Sequence, residues 1–118
     1  MTSISFWGRY AIAMSDFVVV LVTCPPDRAA ALADVLVEGR HAACVNIVPA
    51  IRSVYRWKGA VQHDDETLLV IKTRASHFEA LKQAVLEHHP YELPEVIAVS
   101  VERGHQPYLD WITSNVSD

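Results

Sequence analysis

Apolar and polar positions along the chain change their period several times, and each change marks an element. Phe17-Val-Val-Val-Leu-Val22 is an unbroken, β-branched apolar run, the pattern of a strand covered on both faces in the middle of a sheet. Pro25 and Pro26 follow. Tandem prolines are excluded from a central ladder but suit the first turn of a helix, whose leading amides have no partner. From Arg28 to Glu38 the chain is rich in alanine and leucine, with Leu32, Ala33, Val35 and Leu36 forming a broad apolar face. Gly39 is placed as its stop.

Ala43 to Val48 reads as a second strand, and Pro49 as a bend or bulge in it. Beyond the bend, Ile51, Ser53, Tyr55 and Trp57 share one face and Arg52, Arg56 and Lys58 lie on the other, as in a half-solvated strand. Gly59-Ala60 turns the chain, and Glu66 to Thr73 returns as the hairpin partner. Ser76-His-Phe-Glu79 has capping-box spacing, and Phe78, Leu81 and Val85 set a helical stripe behind it. That helix is expected to end near His88-His89, ahead of Pro90. Glu95 to Val101 reads as a fourth strand and Pro107 to Ile112 as a short terminal helix.

The order β-α-β-β-α-β with a helical tail predicts an α+β, ferredoxin-like sandwich, with two helices on one face of a four-stranded antiparallel sheet. The other face must be covered, and a second copy of the chain is a physical way to cover it. Residues 17–118 read as one domain. Residues 1–16 hold one basic residue, Arg9, and a loosely apolar patch, and Met14 is a second methionine just before the first strand. They read as a leader or upstream-start extension without function.

Composition narrows the function. In 118 residues, 51% apolar and 20% charged, there is room for one core and a slight apolar excess, which suits an obligate oligomer. Ten basic against fourteen acidic residues leave a net charge of −4, with the basic residues scattered, which argues against nucleic acid as a partner. The longest apolar run is far shorter than the ~20 residues that span a bilayer. Two cysteines without a secretory signal point to free thiols and the cytoplasm.

Candidate chemistry is sparse. Cys44 lies in an apolar strand and reads as buried and inert. Cys24 precedes the first helix, where the positive end of the dipole favours a thiolate, but no neighbour in sequence supplies a base and a packed or ligand-facing thiol is the favoured reading. His88 and His89 are adjacent at a helix end. They are either copper- or zinc-type ligands, if the helix unwinds before Pro90, or caps of its C-terminus. Asp64-Asp65-Glu66 reads as a solvated hairpin flank, because the spacing and glycine of a calcium loop are missing. His41, His63, His77 and His105 read as surface or cap residues. The four glycines form no nucleotide loop and no hydrolase or kinase signature occurs, so an enzyme is the less favoured class.

Thr23 with Pro25, Leu36-Val-Glu-Gly-Arg-His-Ala-Ala-Cys-Val-Asn-Ile47, Pro49 and Ser53-Val-Tyr-Arg-Trp57 with Gly59 together carry a resemblance. So do Ile71-Lys-Thr73, His89-Pro-Tyr-Glu92 with Pro94-Glu95, and Tyr108-Leu-Asp-Trp111. Over residues 17–112 the chain resembles the CutA divalent-cation tolerance proteins. The resemblance implies a tight homotrimer in the cytoplasm with a role in tolerance to copper and other divalent ions; with no enzyme signature in the sequence, the expectation is a non-enzymatic divalent-metal (copper) binding protein. The resemblance also implies ligands at the histidine pair, His88 and His89, and at a first-strand cysteine. That cysteine's place is held here by Val22, and Cys24, two residues on and on the same strand face if the strand continues, is the substitute. The family also resembles the PII signalling trimers, which implies an alternative: a signalling or assembly module that binds a small molecule or protein partner in clefts between subunits, with Tyr55 and Trp57 lining them.

Overall fold

The computed structural model describes residues 2–7 and 10–117, with side chains from residue 16 onward. The elements are β1 (Thr2–Trp7), β2 (Tyr10–Ser15), β3 (Phe17–Cys24), α1 (Ala29–Glu38), β4 (Cys44–Trp57), β5 (Ala60–Arg74), α2 (Phe78–His88), β6 (Val96–Ser100) and α3 (Gln106–Asn115). β1 and β2 pair antiparallel as a separate two-stranded sheet. The expectation for residues 1–16 named no secondary structure, and two strands now stand there.

From β3 onward the sheet order is β4-β5-β3-β6, with antiparallel neighbours throughout. This is the ferredoxin-like βαββαβ sandwich. The apolar run of β3 lies between β5 and β6, as a doubly covered strand requires. Its alternate residues Val18, Val20, Val22 and Cys24 join Leu69 and Ile71 of β5 against Leu32 and Leu36 of α1 and Leu81 and Val85 of α2. A second cluster forms where Ile112 and Val116, at the C-terminal end of the chain, close over Phe17 and Ala43. Arg40 ties that end down, its guanidinium donating to the carbonyls of Ser114 and Val116 at 3.3 Å.

Several local expectations shift. β5 starts at Ala60, six residues earlier than the pattern suggested, because Trp57 pairs directly with Ala60 across a two-residue turn. Lys58 (φ 49°) and Gly59 (φ 82°) are both left-handed there, the geometry of a tight primed hairpin turn. The bulge around Pro49 is present as a register shift between Val48 and Ile51, with Ala50 at φ 61°. The capping box does not form. A 3₁₀ turn over Ala75–His77 precedes α2, and the Ser76 hydroxyl lies 3.0 Å from His77 Nδ1. α1 does end before Gly39, whose amide bonds the Val35 carbonyl at 3.0 Å, but the left-handed residue is Arg40, φ 59°.

Candidate functional site

The long β4–β5 hairpin rises beside the loop that follows α2, and a cleft of about 660 Å³ opens between them at the end of β3. The strand period decides what it contains. Past the bulge, Ser53, Tyr55 and Trp57 fall on one face of β4, and Glu66 faces the same way from β5. The cleft is completed by Pro90 to Leu93, where proline stops α2 from continuing.

His89 fixes that loop. The residue is 8% exposed. Nε2 lies 2.7 Å from the Thr23 carbonyl and Nδ1 lies 3.1 Å from the Tyr91 amide. An amide nitrogen only donates, so Nδ1 accepts and the proton is on Nε2, which donates to Thr23. The His89 and Tyr91 rings touch, with centroids 4.7 Å apart. The Tyr91 hydroxyl then donates to Glu66 Oε2 at 3.0 Å. Thr23, His89, Tyr91 and Glu66 thus form one hydrogen-bonded line across the cleft wall. A parallel bond joins the Tyr55 hydroxyl to Asp64.

This line shapes the electrostatics. Burial raises the Tyr91 phenol well above the ordinary tyrosine range, and the Glu66 hydrogen bond and charge add to the shift. The Tyr55 phenol is raised by its bond to Asp64, then by burial, then by the charges of Asp64 and Glu66. Both phenols stay protonated donors at neutral pH, beside the Glu66 and Asp64 carboxylates.

The three expected metal ligands are not gathered into one site. His88 ends α2 with its side chain exposed. His89 has both ring nitrogens engaged, neither of them in capping its own helix. β3 does continue to Cys24, so Val22 and Cys24 share a face, but it is the core face and both are fully buried. Burial, then the nearby charges of Glu66 and Asp27, push the Cys24 thiol above its ordinary value, the opposite of a soft thiolate ligand. Among the described residues no three His, Cys, Asp or Glu side chains are placed to hold a metal ion. Within one chain the donors do not fit a copper ion.

Two other expectations change. The acidic run is not a solvated flank as a whole: Asp65 pairs with Arg52 on the surface at 3.1 Å, whereas Glu66 is 5% exposed and bonded to Tyr91. Cys44 is half-buried rather than enclosed, with the Lys72 ammonium 3.9 Å from its sulfur. The sequence reading passed over Glu66 and Tyr91 as site residues. A signal for Glu66 existed, since counting back by two from Val70 and Leu68 puts it on the same face, an acid ending an apolar stripe.

Residues 18–115 match the family model described as CutA1 divalent ion tolerance protein. The chain is 48% identical over 98 residues to the divalent-cation tolerance protein CutA of Thermus thermophilus, covering 82% of this chain and 95% of that protein. It is 50% identical over 101 residues to human protein CutA, covering 82% of this chain but only 56% of the human protein. Among solved structures, the Thermus thermophilus Cut A1 protein superposes with a TM-score of 0.83 at 46% identity, over 86% of this chain and 99% of that one. A structure described as the PII-like protein CutA from Nostoc sp. PCC 7120, in apo form, gives 0.81 at 35% identity over 85% of this chain and 97% of that one. Fold, motif order and relatives agree that the chain belongs to the CutA1 divalent ion tolerance protein family.

Proposed function

We propose that this chain works in divalent-cation tolerance as a cytoplasmic, non-enzymatic homotrimer that responds to a ligand in the cleft, in the manner of a PII-like module. The observation that carries the reading is the line Thr23–His89–Tyr91–Glu66, which holds a phenol and a buried carboxylate at the wall of a preformed cavity, with the Tyr55 phenol fixed beside it by Asp64. The Nostoc relative's description as PII-like supports it.

Assembly has its own support. Across the face opposite the helices, Ile97 pairs with Leu21, which pairs with Val70, and Val99 pairs with Val19. Ile97 and Val99 are 52% and 54% exposed. A continuous apolar stripe of this kind marks an interface. Cys24, the one enclosed thiol among the described residues, is not poised as a nucleophile, since burial raises its pKa, which fits the non-enzymatic reading. No helix among the described residues is long and apolar enough to cross a membrane, and the free cysteines favour a reducing compartment.

Copper binding at His88, His89 and Cys24 is the competing reading that the family name supports. One experiment separates the two. In a host lacking its own family member and challenged with copper, Glu66→Gln and Tyr91→Phe are expected to lose the tolerance that the native chain restores, while His88→Ala keeps it. Loss with His88→Ala, with full activity of both cleft variants, would return the function to the histidine pair.

A further inference from the structure

Resting on the cleft reading, we propose that the occupant is a small organic ammonium ion, with Glu66 as its counter-charge and Tyr55, Trp57 and Tyr91 as its aromatic wall. Glu66 is nineteen-twentieths buried, yet among the described residues no lysine, arginine or histidine nitrogen lies within 4.0 Å of its carboxylate. Its one hydrogen bond comes from a neutral phenol. A carboxylate withdrawn from water without a cation is an expensive arrangement in a protein. Here it faces a cavity of about 660 Å³, the size of a small-molecule site.

Among the described residues the rest of the lining is acidic on balance, with Arg56 as its one cation. Glu92 and Glu95 also border the cleft. Arg56 borders the cleft but donates to the Gly59 carbonyl at 3.4 Å and makes no ion pair with Glu66, and Lys58 reaches Glu92 at 3.9 Å. That lysine shows what the wall attracts, since its ammonium lies 5.7 Å from the centroid of the Trp57 ring, within cation–π range. It leaves Glu66 unmet. An anion in this cleft would face three carboxylates against one arginine, and among the described residues no three His, Cys, Asp or Glu side chains are placed to hold a bare metal ion. An ammonium group on a small apolar body satisfies the carboxylate and the rings together.

The test uses three probes of one shape: choline, its neutral isostere 3,3-dimethylbutan-1-ol, and 3,3-dimethylbutanoate. Each is titrated at neutral pH and low salt into the assembled protein, following the Glu66 and Tyr91 amide and Trp57 indole resonances. Choline is expected to bind at least about tenfold tighter than the alcohol, about one decade of affinity, with the butanoate weakest. Glu66→Gln should erase choline's advantage over the alcohol. If that variant does not fold, the surface double variant Glu92→Gln/Glu95→Gln should shrink it. Binding of the alcohol or the butanoate at or above choline's affinity overturns the charge assignment and leaves the cleft reading standing. Silence from all three at millimolar concentration overturns both. Silence accompanied by a looser oligomer in Glu66→Gln assigns the missing cation to a neighbouring copy's basic side chain and overturns the soluble ligand.

Discussion

His89 is the residue where a ligand reading and a structural reading make opposite demands on the same two nitrogens. A metal needs one of them free, whereas both are engaged, one donating to Thr23 and one accepting from Tyr91. His89→Ala leaves a part-buried carbonyl and amide unpaired and is expected to cost about 1–2 kcal/mol. His89→Gln, which still offers a donor and an acceptor, is expected to recover most of that loss. Urea denaturation at one fixed protein concentration measures both, and equal losses in the two variants would deny the hydrogen-bonding role. Cys24 gives a second outcome. Its raised pKa makes the thiol hold its proton more tightly folded than unfolded, so stability is intact below the ordinary value of 9.0 and falls as pH rises through the folded one. Tyr91 adds to the same alkaline loss above its ordinary 10.0. Stability should therefore decline from about pH 9 upward, and more gently in Cys24→Ala; an identical slope in the variant would remove Cys24 from the account. At neutral pH, iodoacetamide should modify the half-buried Cys44 well before the enclosed Cys24. The sequence marked His89 and Cys24 as chemistry-bearing but hid their partners, because a carbonyl at Thr23 and a carboxylate at Glu66 reach them only through the fold.

Elements were far more legible than contacts. Period and punctuation located all four strands of the main sheet and all three helices, since burial of alternate or every third and fourth residue is what the fold requires of its sequence. Boundaries moved where geometry overrode composition. The polar first half of β5 looked like loop, yet it is a strand because its partner β4 extends to a tight turn. Side-chain capping of α2 gave way to a 3₁₀ turn. The turns themselves carry measurable strain. Ala50 occupies left-handed space inside β4, where an L-residue costs about 1–2 kcal/mol. Ala50→Gly is accordingly expected to stabilise the protein by up to about 1 kcal/mol, against the usual penalty for glycine in a strand. Gly59→Ala, at φ 82° with open space around it, should cost about 1 kcal/mol through backbone strain alone. Thermal unfolding of the pair tests the idea; destabilisation by Ala50→Gly would mean the bulge is not strained.

At the scale of the molecule, one face of the sheet is sealed by α1 and α2 and the other is only partly covered, where Ile112 and Val116 meet Phe17 and Ala43. The uncovered part holds the Ile97–Leu21–Val70 and Val99–Val19 rows, side by side across three strands. Each residue alone is an ordinary exposed aliphatic; in register they form a strip that water disfavours at about 25 cal/mol per Å². The strip and the cleft belong to the same sheet face, since Glu66, Leu68 and Val70 follow one another at alternate positions of β5. Assembly over the strip would therefore bring a neighbouring chain close to the mouth of the cleft and couple ligand occupancy to subunit packing. Sedimentation equilibrium of the native chain should give three times the monomer mass. Ile97→Lys/Val99→Lys, which places two charges on an edge strand without touching the helix-side core, should give one. If the doubly charged variant stays trimeric, the contact between subunits lies elsewhere on the hairpin, and the coupling between assembly and cleft loses its physical basis.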